Sequence, residues 1–224
     1  MDNDSVATAY TTVDGDFAAE LEIKRSRFIT YLRRVDSEAA ARALVAELRK
    51  KHFDARHHCS AFILGPDRTA MRSNDDGEPS GTAGIPMLDA LAKRETAPGT
   101  TDLSDIAAVV VRYFGGILLG AGGLVRAYSE SVSTALDAAP LLRRERLRIL
   151  GVDADYAAAG RLENDLRAAG IQVLGTEYGP RLATLRVALN DQAPVLAAFA
   201  DRLASLSAGA STATNLGTEW VDVR

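Results

Sequence analysis

The feature that most constrains this chain is a pair of glycine-rich segments in its first half. They are Asp75-Asp76-Gly77-Glu78-Pro79-Ser80-Gly81-Thr82-Ala83-Gly84 and Gly115-Gly116-Ile117-Leu118-Leu119-Gly120-Ala121-Gly122-Gly123, each just ahead of a helix-like stretch. Glycine gathers where the backbone takes positive φ or comes close to another group, and a helix that follows offers unpaired N–H groups to an anion. Two such loops point to one composite site. The competing reading is a pair of tight turns in which glycine serves sterics alone. On the sequence both readings stay open.

The pattern around the loops is that of an α+β protein. Alternation in Phe17–Ile23 and Phe28–Tyr31 predicts a hairpin turning near Arg25-Ser26, after a loose start. Asp36 or Ser37 can cap a helix through Lys50, with Ala40, Ala43, Leu44 and Leu48 on one face. Cys59–Leu64 and Thr69–Arg72 read as strands around the turn Gly65-Pro66-Asp67. A helix from Ser80 or Thr82 to Arg94 should bury Ile85, Leu88, Leu91 and Ala92, with Pro86 tolerated in its first turn. The apolar run Ile106–Val111 predicts a central strand covered on both faces, which delivers Arg112 into the second glycine loop and a helix to Leu136.

Asp137–Pro140 followed by Arg143-Arg144-Glu145-Arg146 reads as a linker, giving domains 1–139 and 140–224. In the second, Leu147–Asp155, Ala157–Ala169, Ile171–Tyr178, Ala183–Leu189, Gln192–Leu206 and Trp220–Val223 follow the order βαββαβ of a ferredoxin-like fold. The Ser/Ala/Thr-rich stretch 205–214 reads as a loop.

Charge limits the partners. The net charge is −4, with 16 basic against 20 acidic residues in 1–139 and 10 against 10 in 140–224, so an RNA site must be a local patch. The best patch is Lys24, Arg25, Arg27, Arg33 and Arg34 on the opening hairpin, with Arg49-Lys50-Lys51 at the end of the first helix. A single cysteine excludes an intrachain disulfide, and Met1-Asp2-Asn3-Asp4 lacks the regions of a secretory signal, so a reducing cytoplasm is the expected compartment. No apolar run approaches the roughly 20 residues of a membrane helix, and no membrane association is expected.

Arg112 and Arg126 are positioned to converge on an anion held by Gly115, Gly116, Gly120, Gly122 and Gly123, with Ser80, Gly81 and Thr82 contributing from the first loop. Alternatively Arg112 pairs with Asp75, Asp76 or Glu78 as a structural bridge. Those three carboxylates can supply a general base, hold a cation or cap the next helix. His57 with Asp76 and Glu78 are the candidate acid/base residues. His52, His57, His58 and Cys59 lie close together, but one cysteine without a C-x-x-C pattern matches no structural zinc site, and no metal or cofactor is expected. A His57–Cys59 dyad competes with a small buried thiol on a core-facing strand.

The strings Asn74–Leu88, Val111–Gly116 and Leu119–Tyr128, with Ala55-Arg56-His57-His58-Cys59 and Lys24-Arg25-Ser26-Arg27-Phe28, closely resemble the signature of the IMPACT family in its bacterial YigZ-like branch. The resemblance covers residues 15–138. It implies a first domain with the ribosomal protein S5 domain 2-like fold and a ferredoxin-like second domain similar to the last domain of elongation factor G. Where the family often carries a lysine after Gly-Gly-Ile, this chain has Leu118.

The resulting expectation is a non-enzymatic module that binds RNA or the ribosome, or a protein partner in translation control. The alternative is an enzyme acting on a phosphorylated or acyl small molecule at the paired loops. Neither G-x-x-x-x-G-K-[ST] nor a strand-linked G-x-G-x-x-G is present to suggest a nucleotide.

Overall fold

The apolar run centred on Val109 forms a strand buried on both faces, and the first half of the chain is built around it. The computed structural model describes residues 7–223 and divides into two compact units, the first ending at Arg143 and the second covering Arg144–Val223.

The first unit contains β1 (Ala9–Val13), β2 (Phe17–Ile23), β3 (Ser26–Arg34), α1 (Glu38–Lys51), β4 (His57–Leu64), β5 (Ala70–Asn74), α2 (Gly84–Ala92), β6 (Ile106–Tyr113) and α3 (Ala121–Ala138). Its five-stranded sheet has the order β2-β3-β6-β4-β5, antiparallel throughout. Ala108 and Val110 of β6 pack with α2 and α3, through Met87, Leu91, Leu124 and Tyr128. Ala107, Val109 and Val111 pack with α1, through Leu44 and Leu48. Both faces are therefore dry, which is why β6 lacks the polar alternation of a half-exposed strand.

Several local expectations need correction. Residues 1–6 of the expected loose start lie outside the described residues, but Ala9–Val13 is a strand whose Tyr10 and Val13 are buried. Thr11 N–H donates to Asp102 O and Thr11 O accepts from Ser104, a pairing set by distant residues. Helix α2 starts at Gly84, without a cap from Ser80 or Thr82, and turns Met87 and Leu91 inward while Ile85 is exposed. Gly84 fixes that rotation, since a Cβ there would lie 2.8 Å from the Asn74 nitrogen. The residues expected as a linker do not form one, because Arg143–Arg146 lies inside β7 (Leu141–Ala154), which begins directly after α3 and Pro140.

The second unit continues with α4 (Tyr156–Ala168), β8 (Gln172–Tyr178), β9 (Ala183–Leu189), α5 (Ala193–Leu206) and β10 (Ala213–Val223). Strand β7 pairs with β9 and with β10, and β9 pairs with β8, giving the β10-β7-β9-β8 order of a ferredoxin-like sheet. Val152, Leu185 and Val187 meet Leu162, Leu166, Phe199 and Leu203 of the two helices in its core. The last strand is longer than expected, starting at Ala213 within the Ser/Ala/Thr-rich stretch. No helix among the described residues is long and apolar enough to cross a membrane.

Candidate functional site

The two glycine loops come to lie at the same end of the first unit but treat their helix N-termini in opposite ways. At α2 the chain supplies its own anion: Asp75 Oδ1 accepts from the N–H groups of Gly84 at 2.7 Å and Ala83 at 3.0 Å, and Oδ2 accepts from Gly81 at 2.8 Å. Burial pushes this carboxyl upward, and the N–H bonds from Gly81, Gly84 and Ala83 outweigh it, leaving Asp75 below the usual carboxylate range. At α3 nothing plays that part. Gly120, at φ 72°, sits at the cap position without a side-chain hydrogen bond, and the N–H groups of Ala121, Gly122 and Gly123 have no acceptor among the described residues.

This open end borders a cleft of about 340 Å³. Leu118, Leu119, Leu124, Phe114 and Pro79 form its apolar walls, and Arg56, His57, Glu78 and Arg112 its polar part. Strand β4 sorts the neighbouring residues by alternation. His57 and Cys59 face the cleft side with α2 and α3, whereas His58 faces α1.

Glu78 and Arg112 form a buried ion pair, Arg112 Nη1 donating to Glu78 Oε1 at 2.6 Å. Tyr128 of α3 donates to the same oxygen at 2.8 Å. Glu78 Oε2 and the buried Arg112 Nε make no hydrogen bond among the described residues. The Arg112 guanidinium lies between the rings of Phe28 and Phe114, 5.4 and 5.7 Å from their centroids, which holds it in place.

His57 Nδ1 is 2.8 Å from the Asp76 carbonyl oxygen. A carbonyl only accepts, so Nδ1 carries the hydrogen, and Nε2 lies 4.0 Å from Glu78 Oε1. A fixed-tautomer imidazole beside a carboxylate at the wall of an apolar cleft is equipped to take up and return a proton.

Cys59 is excluded as a nucleophile. It is fully buried, its Sγ lies 3.0 Å from Asp75 O and 3.3 Å from the Tyr128 hydroxyl oxygen, and burial pushes its thiol up to about 12. Burial likewise raises Tyr128 and keeps the phenol a hydrogen-bond donor.

The structure redistributes the remaining sequence candidates. Asp76 does not face the cleft, because its carboxylate pairs with Arg49 and accepts the His58 N–H at 2.6 Å, so it positions His57 through its backbone oxygen. Gly81 spends its N–H on Asp75, and Thr82 spends both its N–H and its Oγ1 hydrogen on Pro79 O, so these two offer no donor to an anion, while Ser80 is exposed. Gly115 serves sterics, since a Cβ there would lie 2.0 Å from the Arg25 backbone. Arg126 is exposed on α3 and does not line the cleft; of the loop glycines Gly120 lines it, beside Ala121, while Gly116, at φ 85°, Gly122 and Gly123 lie outside its lining.

The hairpin patch is largely neutralised. Arg27 pairs with Glu20, and Arg33 with Asp16 and Glu47. Arg34 is half-buried. Lys24 and Arg25 form the exposed two-residue turn, at φ 46° and 66°. Among the described residues no group of three or more His, Cys, Asp or Glu side chains is arranged to hold a metal ion.

Sequence reasoning did not single out Arg56 or Tyr128 as site residues, and it read Arg49 as part of a basic patch where the structure pairs it with Asp76. Arg56 is exposed at the cleft and has no ion pair among the described residues. The signal for Tyr128 was its place four residues after Leu124, on the inward stripe of α3.

The fold and site define a two-domain α+β protein with a polar-floored cleft at a glycine loop. The Impact N-terminal domain family matches residues 24–136, and the Domain of unknown function (DUF1949) family matches residues 152–210. The IMPACT family member YigZ of Escherichia coli is 41% identical over 190 residues, covering 84% of this chain and 88% of YigZ. The IMPACT family member YvyE of Bacillus subtilis is 46% identical over 159 residues, 71% of this chain and 70% of YvyE. A crystal structure of a hypothetical protein is similar with 37% identity and a TM-score of 0.58, covering 94% of this chain and 98% of that one. The chain belongs to the IMPACT family, in its YigZ-like branch.

Proposed function

We propose that the first unit binds a small molecule with an anionic group and an apolar body in the cleft beside α3, and that His57 and Glu78 transfer a proton to or from it. One observation carries this reading: α2 has its N-terminus closed by the Asp75 carboxylate, whereas the equivalent donors of α3 stand open at a cleft lined by Arg56 and Arg112. A carboxylate or phosphate oxygen is the group such donors complement. The apolar walls set the rest of the ligand, and His57 Nε2 supplies the base.

The test is an amide NMR titration of the full chain with phenyl phosphate. Saturating shifts at Ala121, Gly122 and Gly123, weakened in Arg56→Ala, support the reading. The absence of saturation there, with wild-type and Arg56→Ala alike, overturns it.

A second reading, RNA or ribosome binding with a role in translation control, is favoured by one observation. Lys24 and Arg25 form an exposed turn with no ion pair among the described residues, and Gly115, next to the exposed ring of Phe114, packs on the Arg25 backbone. Phosphates can meet that turn while a base stacks on the ring. Affinity for ribosomal RNA fragments that is strong at low salt and lost in Lys24→Ala/Arg25→Ala supports it, and affinity indifferent to that variant refutes it.

A further inference from the structure

On the opposite face of the same sheet, α1 and the β4–β5 pair enclose a groove of about 410 Å³. Val45, Ala46 and Phe62 give it an apolar floor, and Arg42, Arg49 and Arg72 surround it. Among the described residues one carboxylate lines this groove, Glu38, which bonds Arg42 at 2.9 Å and lies 3.8 Å from Arg72. The third guanidinium, Arg49, reaches out of the groove to Asp76. Three cations from two elements over an apolar floor, with hydroxyl and amide groups of Ser60, Ser73 and Asn74 alongside, match an anion on an apolar body.

Asp76 connects the two faces. Its carboxylate is held from the groove side by Arg49 and by the His58 N–H, and its carbonyl oxygen holds His57 Nδ1 on the cleft side. It does so in the left-handed region, at φ 45°, which aspartate enters more readily than most residues, with its own N–H held by Asn74 Oδ1 at 2.8 Å. An anion that takes Arg49 withdraws one restraint on this turn.

We propose that the α1/β4–β5 groove is a second ligand site, for a small molecule bearing a carboxylate or phosphate on an apolar body, and that its occupancy reaches His57 through Arg49 and Asp76. The transmission gains functional meaning from the cleft reading above, whereas binding in the groove stands independently of it. By linkage, whatever loosens His57 from the groove side is itself disfavoured by a cleft ligand that needs His57 fixed.

The experiment titrates the full chain with phenyl phosphate and with inorganic phosphate, following the Arg49 Nε–H signal, the amides of Ser60 and Asn74, and the ring nitrogens of His57. Saturating groove shifts are expected, weakened at least about five-fold in Arg42→Ala/Arg72→Ala, whose side chains are 77% and 65% exposed and leave the fold intact. His57 should move in step with Arg49, and should still do so in Arg56→Ala, where cleft binding is weakened. Unsaturated shifts, or equal affinity in the double variant, overturn the site. Groove saturation with an unmoved His57 overturns the transmission, and inorganic phosphate binding as tightly as phenyl phosphate overturns the ligand class. Failure of the cleft reading is recorded separately, at Ala121–Gly123.

Discussion

Replacing Asp75 tests the statement that α2 is closed by the chain's own anion. The carboxylate accepts three backbone N–H bonds between 2.7 and 3.0 Å, and in Asp75→Ala those donors keep no protein acceptor. An Asp cap replaced by Ala costs about 0.5–2 kcal/mol, and a hydrogen bond to a charged group is worth about 1.5–3 kcal/mol. The three bonds share one carboxylate and a partly exposed site, so they fall well short of additivity, and a loss of about 2–4 kcal/mol is expected. Asp75→Asn keeps one acceptor oxygen but points an NH₂ at an N–H, and should lose about half as much. The pH dependence follows from the lowered carboxyl. Its contribution is fully present above the unfolded value near 3.8 and is lost as pH falls through the folded value. Urea unfolding followed by far-ultraviolet circular dichroism at pH 7 and at about pH 2.5 measures both effects. An Asp75→Ala variant within about 0.5 kcal/mol of the parent at pH 7 would refute the cap.

Arg112→Met leaves the buried Glu78 without its cation and should destabilise the first unit by about 3–5 kcal/mol, whereas the joint change Arg112→Met/Glu78→Leu should recover much of that loss in the same unfolding assay. Cys59, with its thiol pushed up to about 12, should react with a thiol reagent at pH 8 only when the protein is unfolded, and native-state labelling at the rate of a free thiol would contradict its burial. His52 should make stability fall as pH drops from 7.5 to 5.5. Its Nε2 accepts from Tyr31 at 2.7 Å, and its Nδ1–H donates to Tyr113 at 3.0 Å, with the Tyr113 hydroxyl passing its hydrogen to Asp54 at 3.0 Å. Burial, then Lys51, lowers the imidazole, and burial lowers His58 as well, so both contributions are present above the unfolded value of 6.5 and lost on acidification. A slope that does not flatten in His52→Gln would contradict this account of His52.

The fold was legible where one residue pattern determines one environment. The run ending at Val111 has no polar alternation because α1 covers one face of β6 and α2 and α3 the other. The second unit could be read strand by strand because each short element carries its own period. Strand β1 was not legible, because Ala-Tyr-Thr-Thr-Val is held as a strand by backbone bonds to residues distant in sequence, among them Asp102 and Ser104 some 90 residues away. On α2 the periodicity located Leu91, Leu88 and Ala92 at the core but not the outward turn of Ile85 in the first turn, where Gly84 packs on the Asn74 backbone.

At the site, both glycine loops and Arg112 were visible as candidates, and the sequence already offered a bridge to Glu78 as one alternative. What it could not display was asymmetry. Asp75 caps a helix nine residues ahead of it, through a turn closed by the Glu78 N–H on Asp75 O at 3.0 Å, while Asp76 reaches Arg49 on another element. The same long-range contacts divert Asp76 from the cleft and leave Arg56, from the short connection before β4, at its wall. Gly115 looked like a ligand-approach glycine because a glycine that admits a ligand and one that admits the Arg25 backbone are identical in sequence.

The most direct test of the central claim is anomalous diffraction from a crystal of the full chain soaked in selenate, with the selenium peak located against the N-terminus of α3. The account predicts a peak over the N–H groups of Ala121, Gly122 and Gly123, within reach of Arg112 or Arg56, and none at the N-terminus of α2, where the Asp75 carboxylate already sits. Selenate bound elsewhere with the α3 end left bare would contradict it.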